Sequence, residues 1–246
     1  MKANIRKRAF SLLLALVMIC SLLPTAALAA EFFTQQIMPV NGPTHAAPAD
    51  GTLDISKGAI IITETGYSQG KLIYDKNNGY SVVGEENAKI TETEWTDDEH
   101  ALTITGSYTG STESDTSNTI LIMGGSPTIT LNNVTIYQEH NSTIPRAPGL
   151  VLTSGSSAES PNTATLVLVG TNNLTGADQA PGVQINKDAV LTIQGDGTLN
   201  ATGRNNAAGI GTPRYNPFAI NPSTKKSDNS YRSGGSLVIN LSLIHI

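Results

Sequence analysis

The groups on this chain that could carry acid–base chemistry are Asp178, Asp188 and Asp196, each set in a different kind of turn. Hydrolysis of a glycosidic bond takes two carboxylates at a defined separation. Eliminative cleavage of an acidic sugar takes clustered carboxylates around Ca²⁺ and an Arg or Lys that removes the α-proton. Asp178 and Asp196 stand beside Gly or Ala and read as Asx-turn residues. Asp188 follows Lys187 and reads as the cap of a corner, with a solvated ion pair. No residue is assigned as catalytic, and a polysaccharide-degrading enzyme is kept only as the minor reading.

Metal and thiol chemistry find equally little support. His45, His100 and His140 have no spacing that suggests a shared ion, so each is expected at the surface. The acidic run Glu92 to Glu99 contains Trp95, Asp97 and Asp98 and reads as a polar loop around one packed indole, with a structural calcium site as the alternative. No other cofactor is expected. Cys20 is the only cysteine and lies in the N-terminal leader, which leaves no disulfide and no Cys-based zinc site for the mature chain. Gly195-Asp196-Gly197 and Gly209-Ile210-Gly211 lack a following helix to hold an anion and read as corners. The Asn-x-Thr triplets at Asn133, Asn141, Asn173 and Asn200 read as by-products of Thr-rich strands.

The best binding candidate is the segment Thr212 to Ser233, where Arg214, Tyr215, Lys225, Lys226, Tyr231 and Arg232 gather basic and aromatic side chains together with Phe218. Aromatic rings can stack on the apolar face of a sugar, and Arg or Lys can pair with uronate carboxylates. The alternative is an insertion that Pro213, Pro217 and Pro222 merely keep extended.

What positions these residues is a repeat. Leu166-Val167-Leu168, a Gly170 turn, Asn172-Asn173, Leu174 and Ala180-Pro181-Gly182-Val183-Gln184-Ile185 are followed by Leu191-Thr192-Ile193, Gly195-Asp196-Gly197, Leu199-Asn200-Ala201 and Ala207-Ala208-Gly209-Ile210-Gly211. An earlier copy runs from Ile129-Thr130-Leu131 through Asn132-Asn133, Val134-Thr135-Ile136 and Ala147-Pro148-Gly149 to Leu150-Val151-Leu152, and a later one opens at Gly234-Gly235-Ser236-Leu237-Val238-Ile239. The apolar groups alternate with Thr, Asn or Gln at period two, which is strand patterning. Three short strands per unit of about 25 to 30 residues cannot enclose a core until another unit sits above them. The expected fold is therefore all-β, a right-handed parallel β-helix, or solenoid. Its inward Leu, Ile and Val form continuous columns, and its outward Thr-rich positions face water. Leu131, Leu168 and Ile193 are expected in one column, with Val134, Leu174 and Leu199 in the next. The pairs Asn132-Asn133 and Asn172-Asn173 are expected at equivalent corners as an amide ladder.

The remaining chain divides around that domain. Residues 1–29 read as a secretory signal, with Lys2, Arg6, Lys7 and Arg8, the apolar run Phe10 to Leu23, and Ala27-Leu28-Ala29 as the cleavage site. Residues 30–50, with Pro39, Gly42, Pro43 and Pro48, read as a linker or loose lead-in, and 51–240 as the β-helix with its insertion at 212–233. Residues 241–246 can be written in codons as CTG TCT CTT ATA CAC ATC, a transposase adapter of sequencing libraries. The natural chain is thus expected to continue, its C-terminus here being truncated and further domains missing.

With 14% charged and 5% aromatic residues, 23 Gly and a net charge of −5, the composition is that of a polar, turn-dense extracellular β protein. No basic stripe lies outside the signal, which argues against nucleic acid, and no membrane insertion is expected after signal cleavage.

The segments Ile129-Thr130-Leu131-Asn132-Asn133-Val134, Gly182-Val183-Gln184-Ile185, Leu191-Thr192-Ile193 and Ala207-Ala208-Gly209-Ile210-Gly211 resemble those of secreted surface proteins of Gram-positive bacteria that carry right-handed β-helix repeats. Leu53 to Ile62 and Gly66-Tyr67-Ser68 resemble the lead-in to such repeats. The resemblance covers most of Gly51 to Asn240 and implies a carbohydrate-binding or adhesin-like protein, with no fixed catalytic motif to carry over. The expected function is non-catalytic binding of polysaccharide or a cell-surface glycan, secreted and in association with the cell wall. The alternatives are an adhesin or stalk that binds a protein or host surface, and a pectate-lyase-like enzyme.

Overall fold

The computed structural model describes residues 51–75, 79–84, 89–96, 98–112, 117–139, 146–212 and 234–241, all within one compact unit that begins at Ala47. The chain is all-β, with no α-helix among the described residues. It opens with β1 (Thr52–Asp54), a 3-10 turn (Ile55–Lys57) and β2 (Ala59–Ile62). An antiparallel excursion follows, made of β3 (Gly66–Asp75), β4 (Gly79–Val83) and the short β5 (Thr93–Glu94). From there the strands come in triplets: β6 (Ala101–Thr105), β7 (Ser107–Thr109) and β8 (Ile120–Ile122), then β9 (Thr128–Asn132), β10 (Thr135–Tyr137) and β11 (Leu150–Leu152). Next are β12 (Asn162–Val169), β13 (Thr171–Thr175) and β14 (Val183–Ile185), then β15 (Ala189–Gly195), β16 (Thr198–Thr202) and β17 (Ile210–Gly211), with β18 (Ser236–Leu241) last.

The members of a triplet go to different sheets, and corresponding members of successive triplets pair in parallel. The first sheet is six-stranded in the order β1-β6-β9-β12-β15-β18, and the second is four-stranded, β16-β13-β10-β7. The third is eight-stranded, β17-β14-β11-β8-β2-β3-β4 with β5 beside β3. Parallel strands need a crossover between them, and here the other two strands of each triplet supply it.

Register turns the sequence pattern into core. In the first sheet Leu102, Ile129, Leu166 and Ile193 align, and Ile239 follows Ile193. Ile104, Leu131 and Leu168 make the neighbouring column, which Gly195 interrupts before the register continues to Leu241. Leu131, Leu168 and Ile193 are all at most 2% exposed, yet Ile193 belongs to the column of Leu166 rather than that of Leu168. Aligning Leu166-Val167-Leu168 with Leu191-Thr192-Ile193 misses the register by two residues, a shift that keeps every side chain on its face and so leaves no mark in the alternation. The second sheet corrects the other column in the same way. Leu174 aligns with Ile136 and Ala201, whereas Leu199 aligns with Asn172.

The corners are set by backbone conformation. Two residues beyond the aligned Ile104, Leu131 and Leu168 come Gly106, Asn133 and Gly170, with φ of 88°, 53° and 65°. This left-handed region is open to Gly and tolerated by Asn, which lets the chain turn from the first sheet into the second. Between the second and third sheets the Ala-Pro-Gly motif has a different use. A Cβ on Gly182 would strike the carbonyl oxygen of Leu174 and the amide of Thr202, so this glycine is fixed by close backbone approach between triplets.

The third sheet departs from the expectation that outward positions face water. Ile60, Ile62, Ile120, Ile122, Leu150, Leu152, Val183 and Ile185 point into the main core. Ile61, Leu121 and Val151, which alternate with them and so face the other way, are 5%, 0% and 0% exposed in a second cluster with Leu72 and Val82 of the β3–β4 hairpin, Ala59, Met123 and Ala147. A sheet covered on both faces reads as uninterrupted apolar runs, as in Ile60-Ile61-Ile62 and Ile120-Leu121-Ile122. At the other end of the first turn, Asp54 accepts the Ser56 N–H at 2.9 Å, a bond that holds its carboxyl below the usual carboxylate range. That contact is present above the ordinary Asp pKa and is lost as pH falls through the lowered one.

Leu168 and Val169 are sequence neighbours on opposite faces, 1% and 44% exposed. Leu168→Ala should lower the unfolding free energy by about 2 to 5 kcal/mol. Val169→Ala should change it by less than about 0.5 kcal/mol. Urea titration followed by circular dichroism checks both.

Candidate functional site

The loop residues Arg214, Tyr215, Lys225, Lys226, Tyr231 and Arg232 lie outside the described residues, as does the insertion that carries them apart from Thr212. The three aspartates occupy three different corners. Asp178 follows β13, Asp188 lies between β14 and β15, and Asp196 between β15 and β16. Asp188 has a left-handed backbone, φ 53°, and its carboxylate is 3.7 Å from the Lys187 ammonium. Asp178 bonds the Asn205 amide and accepts from Gln179 at 3.4 Å, which links successive corners instead of closing an Asx turn.

Trp95 packs against the main core, donates its indole N–H to the Thr63 carbonyl at 3.2 Å and stacks on His100 with ring centroids 5.0 Å apart. The Glu92 carboxylate is taken up by the hydroxyls of Thr63 and Thr65. Among the described residues no group of three or more His, Cys, Asp or Glu side chains could hold a metal ion.

The exposed chemistry gathers on the outer face of the second sheet. Its inward positions are Tyr108, Ile136, Leu174 and Ala201, which contribute to the main core. The alternate positions point outward as two rows, Ser107-Thr135-Asn173-Asn200 and Thr109-Tyr137-Thr175-Thr202. In the first row the Asn200 side-chain amide donates to Asn173 Oδ1 at 2.9 Å, and the Asn173 amide donates to Thr135 Oγ1 at 3.4 Å.

The amide ladder thus exists, although not where the paired asparagines suggest. Asn132-Asn133 and Asn172-Asn173 are not equivalent, because Asn133 forms a corner while Asn172 and Asn173 lie within β13. Asn172 points inward and is fully buried. Its Oδ1 accepts the Val134 N–H at 2.9 Å, and its amide donates to the carbonyls of Val169 at 3.2 Å and Thr198 at 3.4 Å. One buried amide therefore ties three successive triplets at their corners.

At the far edge of the face Tyr137 is 36% exposed, and among the described residues it is the one aromatic ring in the set of exposed large apolar groups. The Arg204 guanidinium sits 5.3 Å from its ring centroid, within the range of a cation–π contact. Arg204 is itself fixed by the Glu139 carboxylate at 3.0 Å and the Gln138 carbonyl at 3.1 Å. The sequence marks Tyr137 as outward, since it follows Thr135 and Ile136 in the period-two pattern. Nothing local marks Arg204 as its partner, because a corner far along the chain brings the two together.

Asn172→Ala should cost roughly 1 to 3 kcal/mol, since it leaves a buried N–H and two carbonyls short of partners. Asn200→Ala, at an exposed position, should stay within about 0.5 kcal/mol of the parent. Chemical denaturation of the two variants side by side measures the difference. Compared with known proteins, the chain matches no family model, no curated protein and no solved structure.

Proposed function

We propose that the chain is a secreted, non-catalytic cell-surface protein that binds polysaccharide through an exposed face of a right-handed parallel β-helix. In this reading each triplet is one coil. The handedness rests on the general rule that a crossover between parallel strands of one sheet is right-handed in roughly 98% of cases. The leader at residues 1–29 supports export, and the placement of Asp178, Asp188 and Asp196 in three different corners weighs against an acid–base pair.

The observation that carries the binding role is the second sheet, whose outer face offers regularly spaced hydroxyls and amides on a rigid backbone. A long face of this kind suits a long repetitive ligand, because weak sugar contacts on successive strands add through high effective concentration. The basic and aromatic segment at 212–233 would add contacts to acidic glycans, through Arg214, Lys225 and Arg232 for charge and Tyr215 for stacking.

A glycan array combined with pull-down on insoluble polysaccharides is the test. The expected result is retention on a defined set of polysaccharides without release of sugar. Release of unsaturated or reducing sugars would point to an enzyme, and no retention on any glycan would favour an adhesin or stalk.

A further inference from the structure

Three outer sheet faces are available, and they differ sharply in access. That of the third sheet is buried under the β3–β4 hairpin and its neighbours, as Ile61, Leu121 and Val151 show. On the first sheet Thr103 and Val167 are 9% and 6% exposed and Thr130, Thr165 and Thr192 half-buried, and the large outward side chains that are exposed, Val169 and Val238, are aliphatic and offer no hydrogen bond. On the second sheet Ser107, Thr109, Tyr137, Thr171, Thr198, Asn200 and Thr202 are exposed, and Thr135, Asn173 and Thr175 between them are half-buried. We propose that the ligand face is the outer face of the second sheet and that its ligand is an uncharged polysaccharide stacked on the Tyr137 ring. This rests on the polysaccharide-binding reading above and names both the site and the chemical class of the glycan.

Charge decides the class. The two outward rows hold hydroxyls and amides and no ionised group, and the one cation beside the ring, Arg204, is neutralised by Glu139 at 3.0 Å. A uronate brought to this face would lose hydration without gaining a free counter-charge, whereas a neutral sugar faces no such penalty. Hydrogen bonding fits a polyol. With its amide N–H committed to Asn173, Asn200 keeps Oδ1 to accept, and Thr135 keeps its hydroxyl hydrogen to donate. Donors and acceptors therefore recur along the face at the strand spacing of roughly 4.8 Å.

The Tyr137 ring supplies the apolar platform that the C–H face of a pyranose needs. Arg204 occupies one side of that ring and is anchored at two points, by Glu139 and the Gln138 carbonyl, so the platform is held in place before any ligand arrives.

The test is affinity of the full chain for neutral insoluble polysaccharides (cellulose, chitin, mannan) and for acidic polygalacturonate, each at low and high salt. Tyr137→Ala, Tyr137→Trp and a chain lacking residues 213–233 are compared with the parent. The proposal expects binding to at least one neutral polymer with little salt dependence, a loss of about tenfold or more in Tyr137→Ala, and retention in Tyr137→Trp and in the loop deletion. Melting curves of Tyr137→Ala matching the parent show that its loss is local. Salt-sensitive binding to polygalacturonate alone, unchanged in Tyr137→Ala and lost with the loop, overturns this inference and leaves polysaccharide binding intact. No binding of the parent chain to any polymer overturns both.

Discussion

The parallel backbone hydrogen bonds between successive triplets are the interaction on which the rest depends. No triplet has a core of its own. Leu166 is covered because Ile129 and Ile193 lie on either side of it in register, and the same holds around the other two sheets. Stability in such an arrangement is close to a sum of nearest-neighbour interfaces. The corners must therefore repeat as faithfully as the strands. A left-handed residue at Gly106, Asn133 and Gly170 turns successive triplets at the same place, and a missing Cβ at Gly182 lets neighbouring backbones approach. Where one column is interrupted, at Gly195 next to Leu168, the left-handed glycine comes earlier in the triplet, and the side chain that would have filled the position is absent.

Much of this was legible in the sequence, and the parts that were not share a cause. The period-two alternation identified the strands, and Ala-Pro-Gly at 147–149 and 180–182, with Ala-Ala-Gly at 207–209, identified one corner of three triplets, because both signals are local. The register between triplets is not local. Pairing Leu168 with Ile193 or with Gly195 preserves the same buried face, and only the geometry of the corners chooses between them. The inward placement of Asn172 was invisible for a related reason, since an Asn-Asn pair looks alike at a corner and inside a strand. Its three hydrogen bonds, one within its own triplet and one to each neighbouring triplet, are what make a buried amide acceptable there. The double cover of the third sheet was written in Ile60-Ile61-Ile62, a continuous apolar run of the kind that a two-sided sheet requires.

The same stacking determines which outer faces stay open. With the outer face of the third sheet buried and the large exposed outward side chains of the first, Val169 and Val238, aliphatic, the second sheet is left as the open polar face. Its side chains are short and uncharged, and hydrogen bonds among Thr135, Asn173 and Asn200 hold some of them in fixed orientations. On the polysaccharide-binding proposal, such a surface would gain little from a compact charged ligand and more from an extended polyol that meets the same groups strand after strand. Tyr137 and Arg204 give it one defined point of register. The basic and aromatic segment at 212–233 offers a contrasting chemistry, charged and suited to acidic sugars, on the same chain.

The account stands on the register of the triplets, and disulfide trapping on the second sheet probes it most directly. With Cys20 replaced by Ser, the pair Asn173→Cys and Asn200→Cys should oxidise readily with the fold retained. These two positions are directly aligned, at a Cα separation expected within the roughly 4.4 to 6.8 Å that a disulfide tolerates. The shifted pair Asn173→Cys and Thr202→Cys should stay reduced under the same conditions. Efficient closure of the shifted pair, or failure of the aligned one in a folded protein, would contradict the register and with it the stacked architecture.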